Sequence, residues 1–119
     1  MLEDNQLGLR SISLVLKEEH EAVLHVTADW TTAGDAEVEW LIGLDGIQRI
    51  GPGRYGMPAA GKGGWNADNS FTANIDEIGN IFIWQATLRF ENDRVTLTLI
   101  ESSGHYPEII IQGEPANDM

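Results

Sequence analysis

Apolar and polar residues alternate along most of the chain, and this alternation predicts β-strands. The clearest run is IFIWQATLRF, in which every second residue from Phe82 to Phe90 is apolar. Because successive side chains of a strand point to opposite faces, such a run has one apolar and one mixed or polar face. Comparable runs are SISLVL, EAVLHVTADW, EVEWLIGL, FTANIDEI, VTLTLI and EIIIQG. No stretch of useful length has the period of a helix, so the sequence predicts an all-β protein.

Short turn sequences separate these runs and set the predicted topology. KEEHE, TTAGDA, NADNS and ENDR are rich in residues that favour turns. The segment DGIQRIGPGRYGMP is predicted to hold a short strand near residues 47–50 and then a loop. About eight strands with short connections predict an antiparallel up-and-down meander. Closure into a barrel buries the apolar face and removes the sheet edges, so we predict a barrel, with a β-sandwich as the alternative.

The length and composition predict one domain. A chain of 119 residues of which 42% are hydrophobic can bury a single core without disulfides. We expect residues 7–113 to form the barrel, with a flexible N-terminal segment over residues 1–6 and a flexible C-terminal tail over residues 114–119.

The charge balance argues against several classes of partner. The 7 Lys and Arg residues face 19 Asp and Glu residues, which gives a formal net charge of −12. Nucleic acid and anionic membrane surfaces both attract basic residues, so we expect this domain to contact neither. The acidic residues serve solubility in this interpretation.

The residue types needed for common catalytic and cofactor sites are missing or badly spaced. The chain has no cysteine, and its three histidines have no spacing typical of a metal site. GKGG lacks the spacing of a phosphate-binding loop, and no serine has the context of an activated nucleophile. We therefore predict no cofactor, no metal and no enzymatic activity in this chain itself.

The adjacent acids Asp76 and Glu77 are a candidate catalytic pair that strand geometry argues against. They occupy successive positions of a predicted strand, so their side chains point to opposite faces and cannot flank one bond. The turn that follows at Gly79 is expected to place Glu77 at the rim of the barrel.

The aromatic residues are predicted to fill the core. Trp30, Trp40 and Trp84 fall on inward faces, as do Phe82 and Phe90, and such bulky side chains argue for a filled interior.

Three residues are candidates for contact with a ligand or a partner. Arg54 and Tyr55 lie in the long glycine-rich loop, where binding residues are often found. Trp65 is the third candidate.

Several segments together resemble a known family. LGLRSISL, IGLDG, GKGGWNADNSF, DEIGN, FENDRVTLTL and IIIQG are similar to the domain that follows the catalytic part of many bacterial serine hydrolases of the β-lactamase and penicillin-binding-protein-like class. The likeness spans residues 7–113. It implies a lipocalin/calycin-like barrel in which Trp65 and Phe71 pack inward, and no catalytic residue of the family is present.

The resemblance implies a non-catalytic accessory domain that packs on the catalytic serine-hydrolase domain of the same parent chain. The sequence would then be a fragment of a longer protein, periplasmic or extracellular if that parent is exported. Two alternatives stay open, a lipocalin-like barrel that binds a small ligand and a sugar-binding module.

Overall fold

The computed structural model describes residues 2, 3, 5, 7–31, 34–52, 58–78, 82–91, 93–102 and 107–114. These residues form nine strands and no helix. The strands are β1 (Leu9–Glu18), β2 (Glu21–Thr31), β3 (Gly34–Gly43), β4 (Arg49–Pro52), β5 (Pro58–Trp65), β6 (Ser70–Glu77), β7 (Phe82–Glu91), β8 (Arg94–Glu101) and β9 (Ile109–Gly113). Nothing in this part of the chain is a helix of the length and apolarity needed to cross a membrane.

The strands belong to one sheet in the order β1-β2-β3-β5-β6-β7-β8-β9, with β4 paired to β5. All ladders are antiparallel except the contact between β3 and β5, where Gly43 pairs with Lys62 in parallel. The sheet curls into a nearly closed barrel. The prediction of an all-β, mostly antiparallel, lipocalin-like barrel is confirmed, with nine described strands where about eight were predicted. The short strand predicted near residues 47–50 corresponds to β4.

Residues 2 and 3 lie between the first and last strands. The Leu2 amide donates to the Arg10 carbonyl of β1, and the Glu3 amide donates to the Gln112 carbonyl of β9, each over 2.9 Å. Leu2 also pairs with Gly113, and its side chain is buried. These residues therefore belong to the packed barrel, while the flexibility predicted for residues 1–6 stays a prediction.

The core follows the predicted alternation on most of the long strands, although Val23 of β2 is buried beside Ala22 and Leu24, and Leu16 at the end of β1 is 56% exposed. Buried inward residues include Leu24, Val26, Ile42, Phe71, Ala73, Ile75, Trp84, Ala86, Leu88, Leu97, Leu99, Ile109 and Ile111. The inward assignment of Phe90 is wrong, because its side chain is 47% exposed. Phe90 is the last apolar position of β7 before the turn to β8, where the interior opens to solvent.

The turn between β5 and β6 is held by its own polar side chains. Asp68 Oδ1 accepts from the Ser70 hydroxyl over 2.6 Å and from the Ser70 amide over 3.2 Å. Asn66 Nδ2 donates to the Ser70 hydroxyl oxygen over 2.9 Å, and Asn69 adopts a left-handed φ of 66°. Asn and Asp tolerate such geometry, as the NADNS motif predicts.

Trp65 does not pack inward as the resemblance implies, since its side chain is 53% exposed. It pairs with Phe71 across the last position of the β5–β6 ladder, where the barrel wall ends. The Trp65 ring makes a T-shaped contact with the Phe71 ring, and the two ring centroids are 5.3 Å apart. The centroid of the Phe90 ring lies 6.3 Å from that of Trp65. Trp65 therefore covers the end of the core with half of its surface in solvent.

Two glycines of β5 allow close backbone packing. A Cβ at Gly61 would lie 2.5 Å from the Leu41 carbonyl oxygen of β3, and a Cβ at Gly63 would overlap the Thr72 carbonyl oxygen of β6. Only glycine fits where two backbones come this close. These two glycines thus lie where β5 meets β3 and β6.

Candidate functional site

The barrel interior contains a cavity of about 50 Å³. Side chains from β1, β2, β3, β6, β7 and β8 line it, together with Leu7. One water needs roughly 10–15 Å³ of such volume, and a dry cavity of about 150 Å³ can hold benzene. The cavity therefore has room for about three to five water molecules.

The wall of the cavity is apolar apart from three side chains. Among its described lining residues, polar side-chain atoms come from Trp40, Glu77 and Trp84, and the rest are aliphatic. A mostly apolar pocket with a few convergent polar groups is the usual form of a small-ligand site. This cavity is therefore the candidate site of the described chain.

Glu77 lies inside the barrel and not at its rim. Its side chain is 2% exposed, and its Oε1 accepts a hydrogen bond of 2.6 Å from Trp84 Nε1. Glu77 has the inward parity of Ile75 on β6, so strict alternation would have placed it inside. The predicted divergence of Asp76 and Glu77 is confirmed, because Asp76 lies on the other, partly exposed face.

Trp40 brings a hydrogen-bond donor that has no partner. Its Nε1 is buried and makes no hydrogen bond within the described part of the chain. A buried donor left unsatisfied costs about 1–3 kcal/mol, and most buried polar groups in proteins do have a partner. The sequence places Trp40 on the inward face of β3, but no pattern could show that its N–H would be unpaired.

A second buried acid lies opposite Trp84 in the ladder between β7 and β8. Glu101 is buried, and its Oε2 accepts from the Ile83 amide over 3.1 Å. The alternating run VTLTLI ends one residue before Glu101, so the sequence pattern did not indicate this role. Its parity with Leu97 and Leu99 on β8 is the signal that would have placed it inside.

The N-terminal segment positions one wall of the cavity. The Asn5 side chain accepts from the amides of Leu7 and Leu9 over 3.1 and 3.0 Å and donates to the carbonyls of Glu3 and Leu9 over 2.8 and 2.9 Å. Leu7 and Leu9 both line the cavity. Asn5 thus fixes the backbone that carries these two leucines.

The ion pairs of the described chain lie outside the cavity. Arg89 contacts Asp68 over 2.6 Å, and the Ser70 hydroxyl together with Arg89 lowers the pKa of Asp68 from 3.8 to about 2. Arg49 pairs with both carboxylate oxygens of Asp45 and lowers the pKa of that carboxyl. The Arg89–Asp68 pair stabilises the turn between β5 and β6, and the Arg49–Asp45 pair stabilises the turn after β3.

Of the three predicted contact residues, the structure describes Trp65. Arg54 and Tyr55 lie outside the described residues. Trp65 is at the end of the core and does not line the cavity. Its half-exposed ring is accessible to a partner, and its role as a contact stays a prediction.

Metal ligands are not grouped in the part of the chain that the structure describes. No three His, Asp or Glu side chains there are placed to hold a metal ion. His20 is exposed and His25 is partly buried on β2, while His105 lies outside the described residues.

The geometry thus defines a small β-barrel with a carboxylate and an unpaired indole N–H in an apolar interior. Compared with models of known families, with curated proteins and with solved structures, the chain matches none of them. The resemblance to the accessory domains of serine hydrolases therefore stays a prediction.

Proposed function

We propose that this chain is a non-catalytic accessory domain that docks on a partner domain through the outer face of β7, β8 and β9. Following the sequence resemblance, we take that partner to be the catalytic serine-hydrolase domain of the same parent chain. The observation that supports this function is a diagonal row of exposed isoleucines, Ile83, Ile100 and Ile110, which we name the isoleucine row.

The isoleucine row follows from the strand register. Ile100 pairs with Gln85, and Ile83 lies two residues from Gln85 on the same face. Ile110 pairs with Thr98, two residues from Ile100. Diagonal neighbours of this kind lie about 7–8 Å apart, within reach of one another's side chains.

Each isoleucine of the row has much of its side chain in solvent. The exposed fractions are 46% for Ile83, 42% for Ile100 and 58% for Ile110. Single exposed apolar residues need no explanation, but a continuous apolar patch rimmed by polar groups is typical of an interaction surface.

The rim of the row indicates the charge of the partner. Asp76 pairs with Ile83, and exposed Glu108 directly precedes β9, two residues before Ile110. A partner surface with an apolar centre and Lys or Arg at its edge is complementary to this arrangement. A second copy of this chain would bring the same acidic rim and a further net charge of −12, so repulsion disfavours it.

The test begins with the coding region upstream of this chain. If it encodes a catalytic domain with a Ser-x-x-Lys motif, that domain is produced separately and titrated with this chain by isothermal calorimetry. Ile100→Asp should weaken binding at least tenfold, since it places an acid in an apolar contact. Thr72→Asp is the control, because Thr72 lies on the outer face of β6 away from the row.

Two results contradict the proposal. One is an upstream region that encodes no such domain. The other is a measured affinity that Ile100→Asp leaves unchanged while the Thr72→Asp control behaves like the wild type.

The sugar-binding alternative finds less support. Sugar platforms use exposed aromatic faces, and Trp65 is the one tryptophan among Trp40, Trp65 and Trp84 that is exposed. Its contacts with the rings of Phe71 and Phe90 occupy part of its surface.

A further inference from the structure

We propose that the opening between β1 and β9 accepts an extended segment of a partner polypeptide, which adds to the edges of both strands as one more strand. The segment carries an apolar residue at every second position and Lys or Arg between them. We name this opening the β1–β9 slot and define it by residues 12–16 of β1 and residues 109–111 of β9. The inference does not depend on docking through the isoleucine row.

The two strands that border the slot are each paired on one side only along its length. β1 pairs with β2, and β9 pairs with β8. Within the described residues, no backbone hydrogen bond joins residues 12–16 to residues 109–111. Strand edges of this kind present unpaired N–H and C=O groups, which are the groups that an added strand binds.

The N-terminal residues show how wide the slot is. At its lower end Leu2 lies between the two strands, since its amide donates to the Arg10 carbonyl of β1 and Leu2 pairs with Gly113 of β9. Neighbouring strands are about 4.7–4.9 Å apart, so β1 and β9 are about 9–10 Å apart at this level. That distance is the width of one inserted strand.

The chain leaves this position between the strands after Glu3. The Asn5 side chain donates to the Glu3 carbonyl over 2.8 Å and accepts from the amides of Leu7 and Leu9 over 3.1 and 3.0 Å. These bonds turn the chain into β1. The described N-terminal residues therefore occupy only the lower end of the slot.

The edge of β9 directs the groups of Ile110 into the slot. The Gln112 carbonyl accepts from the Glu3 amide over 2.9 Å, and the Gln112 amide donates to Glu3 Oε2 over 2.8 Å. In a strand the N–H and C=O of one residue point to the same edge, and successive residues alternate between the two edges. The N–H and C=O of Ile110 thus face the slot, where they have no partner within the described residues.

The inward side chains of β1 become more exposed along the slot. Leu9 is buried, Leu14 is half-buried, and Leu16 is 56% exposed. Their partners on β2, Leu24 opposite Leu14 and Ala22 opposite Leu16, are buried. An added strand with apolar residues on its inner face covers Leu14 and Leu16 and so gains apolar burial.

The charge of the chain determines the polar residues of the partner segment. The formal net charge is −12, and exposed acids lie near the slot at Glu108, before β9, and at Glu19, after β1. Lys and Arg on the outer face of the added strand are complementary to this charge. A strand from a second copy of the chain brings a further net charge of −12, so repulsion disfavours it.

The test uses the peptide Lys-Val-Lys-Val-Lys-Val-Lys with blocked ends, titrated into the ¹⁵N-labelled chain and followed by NMR. At saturation, hydrogen exchange of the Ile110 amide should slow at least about fivefold, because that N–H gains an acceptor. Amides of β6, which is paired on both sides, should exchange as before.

Two control peptides separate strand addition from attraction by charge. A peptide with N-methyl groups on its three valines keeps the charge but loses the donors of alternate residues. It should bind at least about tenfold more weakly, since two or three hydrogen bonds are lost. The peptide with Glu in place of each Lys should also bind more weakly.

Two pairs of variants test the two sides of the slot. Ile110→Pro removes an N–H that faces the slot and leaves the ladder with β8 intact, a change that edge strands tolerate. It should weaken peptide binding at least about fivefold relative to Ile110→Ala, which keeps the N–H. Leu16→Asn should weaken binding at least about threefold, whereas Ile50→Asn, an exposed position on β4, is the control and should leave the Kd unchanged.

Several results overturn the proposal. They are an Ile110 amide whose exchange the peptide does not slow, equal affinities for the parent and the N-methylated peptides, or equal effects of Ile110→Pro and Ile110→Ala. Loss of binding in Ile100→Asn overturns it as well, because the peptide would then lie on the isoleucine row. If Ile110→Pro does not fold, as judged by circular dichroism, the comparison of the two peptides on the wild-type chain still decides.

Discussion

Two phenylalanines on neighbouring strands provide a direct test of which residues form the core. Phe71 on β6 is 0% exposed, whereas Phe90 on β7 is 47% exposed, and both rings contact Trp65. A phenylalanine side chain buries up to about 200 Å², which at about 25 cal/mol per Å² corresponds to about 5 kcal/mol as an upper value. Phe71→Ala should therefore cost about 3–5 kcal/mol.

Phe90→Ala removes about half of that buried area and leaves no enclosed cavity, so it should cost about 1–2 kcal/mol. A domain with a total stability of about 5–15 kcal/mol tolerates the second change but loses a large part of its stability with the first.

The assay is urea unfolding followed by far-ultraviolet circular dichroism, which reports the loss of the backbone sheet structure. With a slope of about 1.5 kcal/mol per M, Phe71→Ala lowers the midpoint by about 2–3 M and Phe90→Ala by about 1 M. Equal shifts in the two midpoints would refute the assignment of Phe71 to the core and of Phe90 to its exposed end. So would a larger shift for Phe90→Ala.

Two further predictions concern β5 and the turn that follows it. Gly63→Ala should lower the free energy of unfolding by several kcal/mol, because the added Cβ overlaps the Thr72 carbonyl oxygen. Gly64→Ala is the control: nothing lies within 4 Å of its Cβ, so stability should change by less than about 1 kcal/mol. Equal urea midpoints for the two variants would contradict this. Asp68 has a pKa of about 2 in the folded chain against 3.8, so its contribution is present above pH 4 and is lost as the pH falls from about 4 to 2. The difference in urea midpoint between the wild type and Asp68→Asn should shrink over that range, and a difference independent of pH would contradict the argument.

The sequence predicts the fold well because alternation reports which face of a strand is buried. Phe71, Ala73 and Ile75 are inside, as the period of two predicts, and the same rule correctly separates Asp76 from Glu77. The errors lie at strand ends. Phe90 and Trp65 keep the inward parity but sit where the barrel wall stops, and alternation contains no information about that limit.

The candidate site could be predicted only in part. Parity places Trp40 and Glu77 inside the barrel, whereas the turn that follows Glu77 favours the rim position that was predicted for it. The cavity itself depends on how side chains of six strands fill the interior, and the unpaired Trp40 N–H depends on which groups happen to lie near it. Neither property is encoded in a local pattern.

The pairing of Leu2 with Gly113 has a consequence for folding kinetics. It joins positions near the two termini, whereas the adjacent hairpins bring together residues close in sequence. Among the strand contacts, this one costs the most conformational entropy to form, because it closes the longest loop. Folding also slows as contacts become more distant along the chain. The hairpins can therefore assemble early, and the seam that completes the ring is expected to form last and to open first under mild denaturant.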